Sequence, residues 1–142
     1  YYQSKIAQWG LESIVTFTGM QPKKMANRFF GAADIFVFPS VTETQGIVVT
    51  EAMAAGIPVV AVNKMGPSDI VKDGVDGFLT SLKKEEFSAK IEKLLENRDL
   101  RKKMGQMGKK NAEKYSKLNC ALKMEDLYEH TINCHYSQSQ TF

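Results

Sequence analysis

Two glutamates, Glu43 and Glu51, stand eight positions apart in the stretch PSVTETQGIVVTEAMAAGIPVV. Between them, Gly46 opens a segment whose apolar spacing predicts a helix over residues 46–55. The first backbone N–H groups of such a helix have no intrahelical acceptor, and they lie at the positive end of the helix dipole. A glycine at this point leaves those groups uncovered. The amides of residues 46–48 are therefore predicted to bind an anion such as a phosphate.

Glu51 falls among apolar residues on the helical wheel. At about 100° per residue, it lies between Ile47, Ala55 and Val48. A carboxylate in that position loses hydration unless something binds it, so we expect Glu51 to be substantially buried and to face the same crevice as the amides. It could then bind vicinal hydroxyls such as those of a ribose, while Glu43 binds hydroxyls on the other side. The alternative is that Glu51 reaches the helix edge or pairs with a lysine, and that Glu43 is solvated.

The elements around this motif alternate between strands and helices. Apolar or β-branched runs predict strands over residues 14–17, 34–40, 58–62 and 77–80. Apolar periodicity and turn residues predict helices over 1–10, 23–33, 46–55, 66–74, 83–97, 98–115 and 117–134, with a frayed tail over 135–142. This order predicts an α/β fold, a Rossmann-like parallel sheet with helices on both faces. Ligands of such sheets bind beyond the carboxyl ends of the strands, where the loop 39–46 lies.

Composition excludes several classes of protein. The chain has 142 residues, 43% of them hydrophobic and 25% charged, as in a soluble domain with a real core. A net charge of +3 is too mild to indicate nucleic acid. No apolar run approaches the roughly 18 residues of a membrane span, and no signal peptide opens the chain. Two cysteines are too few for a disulfide scaffold, which favours the reducing cytoplasm.

Two further groups of residues have competing interpretations. Residues 98–125 hold nine Lys or Arg and three acidic residues. This excess could contact anionic lipids at the cytoplasmic face of a membrane, but a solvated helical face is the favoured interpretation. Four residues near the end of the chain could be drawn as metal ligands, but their spacing fits no common zinc pattern, so no metal site is predicted. They are Cys120, His130, Cys134 and His135.

The motif and its flanks resemble the retaining GT-B glycosyltransferases of family 4 type, the glycosyl transferases of group 1, whose signature is E-x7-E. The resemblance continues through FTG, AADIFVFPS, DIVKDGVDGFL and YSKLNCALKMEDLY, in the right order over nearly the whole chain. It implies two Rossmann-like domains, with a nucleotide sugar bound mainly by the C-terminal one. Residues 1–116 resemble part of that donor-binding domain, and residues 117–142 its C-terminal helix and tail.

The same resemblance implies roles for individual residues. Glu51 would bind the donor's ribose, and Glu43, the candidate catalytic residue, would contact the transferred sugar without acting as a nucleophile. The sugar and diphosphate would be held by the donor-binding residues Thr44, Gln45, Gly46, Ile47 and Val48. The base would be bordered by Gly19, Met20 and Gln21. The reaction would use a UDP-sugar, retain anomeric configuration and need no metal or other cofactor.

The chain departs from the family pattern in ways that matter. The first two strands of the donor domain, with an Arg and a Lys that grip the diphosphate, would precede Tyr1, as would the acceptor domain. We therefore expect no transfer by these 142 residues alone. TETQG stands where EGFG is common, a variant that resembles enzymes acting on diacylglycerol or related lipids. In addition, Asp69 stands where many relatives have Glu, and Met65–Gly66 where they have two glycines.

Two expectations follow from the missing strands and from the limits of the motif. The missing strands normally lie between 14–17 and 34–38, so the latter strand would have an open apolar edge. Either residues 14–17 pair with this edge directly, or another chain covers it. The chain is thus predicted to self-associate, most simply as a two-fold dimer through the 34–38 edge or through exposed helices. The alternative function is a non-catalytic α/β module that binds a nucleotide or a protein. A phospho-receiver is disfavoured, because no acidic cluster follows the first strand and no lone Lys follows the fifth.

Overall fold

The structure, a computed structural model, describes the backbone of residues 1–139 and the side chains of residues 1–134. The elements within that range are α1 (Tyr2–Gln8), α2 (Lys23–Ala32), β1 (Phe36–Phe38), α3 (Ile47–Ala54), β2 (Val59–Val62), α4 (Pro67–Ile70), β3 (Gly77–Thr80), α5 (Lys84–Glu96), α6 (Arg98–Ala112) and α7 (Lys117–Ser139). A single 3₁₀ turn, Glu113–Tyr115, joins α6 to α7.

The three strands form one parallel sheet in the order β1-β2-β3. In the register, Val59 of β2 lies opposite Phe36 on one side and Gly77 on the other. All four residues of β2 are buried, as expected for a β-branched central strand of a parallel sheet. The strands predicted over 34–40, 58–62 and 77–80 are therefore confirmed, although the first is only three residues long.

Helices cover both faces of this sheet because alternate residues of β2 point in opposite directions. Val59 and Ala61 belong to one core with residues of α3 and α4. Val60 belongs to a second core, together with Leu94 of α5 and Met104 of α6. The structure thus confirms the predicted α/β architecture, a Rossmann-like parallel sheet with helices on both faces.

The predicted strand over residues 14–17 is wrong. The N–H groups of Ile14 and Val15 both donate to the carbonyl of Leu11. These bonds form a turn and not the pairing of a β-strand with a neighbour. The side chains of Ile14 and Phe17 are 75% and 48% exposed. A β-branched run forms a strand only where a neighbouring strand accepts its backbone hydrogen bonds, and no strand of the described chain lies beside this one.

Two predicted helix ends also differ from the structure. The helix predicted over 66–74 stops at Ile70, because the N–H of Lys72 donates to the carboxylate of Asp76 at 2.8 Å instead of continuing the helix. The last helix, predicted to end at residue 134 before a frayed tail, continues through Ser139. The rest of that tail, residues 140–142, lies outside the described residues.

A buried polar link fixes α6 to the connection between α4 and β3. The carboxylate of Asp76 accepts a hydrogen bond from Asn111 Nδ2 at 2.9 Å, and Asn111 Nδ2 also donates to the carbonyl of Ile70 at 2.9 Å. Burial raises the pKa of the Asp76 carboxyl, although hydrogen bonds from the Lys72 N–H and Asn111 act against this shift. The link holds the backbone of Ile70, whose side chain lies next to Gly46 at the end of the loop that follows β1.

Self-association through β1 stays a prediction, and the structure offers a way to test it. Within the described residues, β1 pairs with β2 alone, and Val37 on it is 44% exposed. We expect light scattering at micromolar concentration to show a dimer, and Val37→Lys, which places a charge on this edge, to shift the chain toward monomer. A monomer at every concentration would contradict the dimer.

Candidate functional site

Two loops touch through their backbones at the carboxyl end of the sheet. Gly46, with φ +66°, closes the loop that follows β1, and Gly66, with φ +83°, closes the loop that follows β2. A Cβ on Gly66 would lie 2.8 Å from the carbonyl oxygen of Glu43 and 3.1 Å from the nitrogen of Gly46. A Cβ on Gly46 would lie 2.5 Å from Cδ1 of Ile70. The two glycines therefore allow a close approach that no other residue type permits without displacement.

The carboxylate of Glu43 folds back onto the start of α3. Its Oε1 accepts hydrogen bonds from the N–H groups of Gln45 and Gly46, both at 2.9 Å. The bond from Gly46, and next the bond from Gln45, hold the pKa of the Glu43 carboxyl below its usual value. The anion at the start of α3 is thus a carboxylate of the chain itself, and phosphate binding by the amides of residues 46–48 stays a prediction.

Beyond Gly46, the first turn of α3 has further amides without intrahelical acceptors. The first bond of the helix runs from the N–H of Thr50 to the carbonyl of Gly46 at 3.0 Å. The N–H groups of Ile47 and Val48 precede it and so have no acceptor within the helix. The side chain of Val48 packs against the core, whereas that of Ile47 is 59% exposed.

Glu51 is half-buried, not substantially buried as predicted. Its side chain is 33% exposed, and Oε1 lies 2.8 Å from Nζ of Lys23 in α2. The buried face of α3 is formed by Val49, Ala52 and Met53. Because α3 is apolar on nearly every side, the wheel could not show which face meets the sheet. Pairing with a lysine, the alternative that the sequence left open, is therefore what the structure shows for Glu51.

The open face of α3 lines a cleft of about 810 Å³. Gln45, Ile47 and Glu51 lie on one wall, so the predicted carboxylate and the start of the helix do share one crevice. The other wall comes from the junction of α6 and α7 and includes Lys109 and Tyr115. Sequence reasoning missed this second wall, since its residues lie far along the chain from the motif and carry no local pattern.

The other predicted site residues do not line the cleft, and these include Glu43, Gly46 and Val48. Thr44 is exposed in the loop after β1. Gly19, Met20 and Gln21 precede α2, with Met20 fully exposed and Gln21 Nε2 donating to the carbonyl of Thr18. None of these four residues lines the cleft. The loop 19–21 directly precedes α2, whose first residue, Lys23, contacts Glu51.

The candidate metal ligands do not assemble in the described part of the chain. Cys134 Sγ lies 3.6 Å from His130 Nε2, and Cys120 lines the cleft. Among the side chains of residues 1–134, no three metal-ligating groups come together. The side chain of His135 lies outside that range. No helix in the described range is both long and apolar enough to cross a bilayer.

Comparison with known proteins adds relatives of similar sequence and fold. The sequence model of the family described as "Glycosyl transferases group 1" matches residues 1–111. The D-inositol 3-phosphate glycosyltransferase of Corynebacterium aurimucosum is 32% identical over 128 residues, which are 89% of this chain and 30% of that protein. The sulfoquinovosyl transferase SQD2 of Arabidopsis thaliana is 37% identical over 103 residues, 70% of this chain and 20% of that protein. This chain thus spans about a third or less of these curated relatives.

Solved structures extend the comparison. Sucrose-phosphate synthase of Thermosynechococcus elongatus superposes with a TM-score of 0.84 at 25% identity, over 94% of this chain and 34% of that one. Anabaena HepE in complex with UDP superposes with a TM-score of 0.83 at 25% identity, over 91% of this chain and 36% of that one. Given these matches to fold and sequence, the chain belongs to the family of group 1 glycosyl transferases.

Proposed function

We propose that this chain is the donor-binding part of a retaining GT-B glycosyltransferase that moves a sugar from a UDP-sugar to an acceptor. The observation that carries the proposal is the cleft of about 810 Å³, which brings Glu51 together with Gln45 and Ile47 at the start of α3. A cleft of this size suits a ligand of nucleotide size. The similar Anabaena protein, whose structure contains UDP, supports the choice of base.

Each part of the donor has a partner in this proposal. The diphosphate lies at the amides of residues 46–48, where the helix dipole offsets its charge without a metal. Glu51 accepts hydrogen bonds from the ribose, and the loop 19–21 borders the base. Glu43 contacts the transferred sugar. The configuration is retained through an ion-pair-like transition state on the front face, with no protein nucleophile.

The acceptor and its domain lie outside these residues. We propose that the complete enzyme has a second, acceptor-binding domain, so the chain alone transfers no sugar. A membrane lipid is the proposed acceptor, with the enzyme in the cytoplasm at the membrane's inner face. Exposed lysines on α6 that do not line the cleft support this location, because they could contact anionic headgroups; they are Lys102, Lys103 and Lys110.

Glu51→Ala tests the donor site in the full-length protein. We expect UDP binding to weaken by about 1–3 kcal/mol, since hydrogen bonds to a charged group are lost. Calorimetric titration with UDP measures this change directly. The control is Glu85→Ala, an exposed carboxylate in the first turn of α5, which should leave the affinity unchanged. Equal affinities for wild type and Glu51→Ala would remove Glu51 from the site.

A further inference from the structure

The chain itself binds both carboxylates of the proposed site. Glu51 pairs with Lys23 at 2.8 Å, a contact that engages Oε1 and leaves the lysine 77% exposed. Glu43 is held by its own loop, because one oxygen accepts two backbone N–H groups at 2.9 Å each. One of those donors, the Gly46 N–H, is among the amides proposed above for the diphosphate. The chain and the donor therefore compete for the same group.

The two anions cannot share that group. A carboxylate at the first turn of a helix is stabilised by the helix dipole, and so is a phosphate. If the diphosphate approached while Glu43 stayed in place, two negative groups would meet at one N–H, and each would weaken the other's binding. One of them must leave for the other to bind well.

The geometry indicates how Glu43 could leave without rebuilding the loop. The carbonyl oxygen of Glu43 and the nitrogen of Gly46 pack against Gly66, so that a Cβ on Gly66 would lie 2.8 and 3.1 Å from them. The backbones of the two loops are therefore closely packed at this point. The Glu43 side chain is only partly buried, and all of its hydrogen bonds described above are to the amides of its own loop. A rotation of the Glu43 side chain is therefore enough to free the N–H groups of Gln45 and Gly46.

We propose that Glu43 is an internal competitor of the donor: it occupies the Gln45 and Gly46 amides until the diphosphate displaces it. Displacement releases the carboxylate at the place where the transferred sugar arrives. Glu43 thus stabilises the loop before the donor binds, and it contacts the transferred sugar after the diphosphate has displaced it. This inference rests on the proposed donor-binding function, and it adds a regulation of that site by the chain itself.

The test is UDP binding by the full-length protein and its Glu43→Gln and Glu43→Ala variants. UDP has a diphosphate but no transferred sugar, so loss of the sugar contact does not affect the result. Glu43→Gln is the milder change, because the amide oxygen can still accept from both N–H groups and hold the loop, but the competing charge is gone. We expect both variants to bind UDP about three- to tenfold more tightly than wild type. Glu85→Gln, a charge change of the same kind on α5, should leave the affinity unchanged.

A second measurement follows the carboxyl itself. We expect NMR titration to give Glu43 a pKa below its usual value in the free protein, and a higher pKa when UDP is bound and the two amides are withdrawn. Variants that bind UDP as wild type does, or more weakly, would overturn the competitor role while leaving the donor site in place. Failure of the wild-type protein to bind UDP at all would overturn the donor function and this inference together.

Discussion

Replacing Gly105 by alanine is expected to destabilise the chain by about 2–4 kcal/mol. Gly105 is buried in α6, where a Cβ would lie 2.0 Å from the carbonyl oxygen of Gly56 and 2.9 Å from its carbon. Both are backbone atoms and cannot turn aside, so α6 would have to move away from the end of α3. Helix propensity alone favours alanine by about 1 kcal/mol, which gives the opposite sign. The steric term decides the outcome because the helix crosses the backbone so closely.

Gly108→Ala, about one turn along the same helix, is the matched control. A Cβ there would lie 3.5 Å from the carbonyl of Asp76 and 3.6 Å from the side chain of Met53, which are ordinary contacts. We therefore expect the variant to be as stable as wild type or more stable by up to about 1 kcal/mol. Urea unfolding of both variants measures the difference. Equal stability of Gly105→Ala and Gly108→Ala would show that α6 does not depend on the close crossing at Gly56.

The elements that could be predicted are those that depend mainly on residues close together in the sequence. The strands β1 to β3 are apolar runs bounded by prolines or glycines, and the burial of β2 on both faces follows from the absence of polar alternation. The run over residues 14–17 has the same β-branched character but forms no strand. β-Branched residues favour a pleated, half-buried surface, but whether neighbouring strands provide one depends on residues far away in the sequence.

The candidate site divides in the same way. Glu43, Gly46 and Glu51 could be found from the sequence because the spacing of the motif places them around one helix start. The burial of Glu51 could not, since an apolar helix such as α3 gives no sign of which face meets the sheet. Lys23, which pairs with Glu51, and Lys109 on the opposite wall of the cleft are brought in by packing of α2 and α6. No local pattern marks either of them.

The close contact between the two loops predicts a large effect for Gly66→Ala. Gly66 has φ +83° and ψ −79°, a conformation that costs an alanine about 1–3 kcal/mol. The new Cβ would also lie 2.8 Å from the Glu43 carbonyl. We expect a total loss of about 2–4 kcal/mol in the free energy of unfolding, measured by urea denaturation. In the full-length protein, UDP binding should weaken about tenfold or more, because the start of α3 is pushed out of place.

Gly74→Ala separates strain from contact in this experiment. Gly74 also has a positive φ, +73°, but a Cβ on it would meet nothing within 4 Å. Gly74→Ala should therefore lower the free energy of unfolding by the backbone strain alone, about 1–2 kcal/mol, and leave the affinity for UDP unchanged. The difference between the two variants isolates the contact of Gly66 with the loop that carries Glu43. If both variants bound UDP equally well, the loop after β2 would not position the donor site, and the sequence 43–46 would have to hold its shape through its own hydrogen bonds alone.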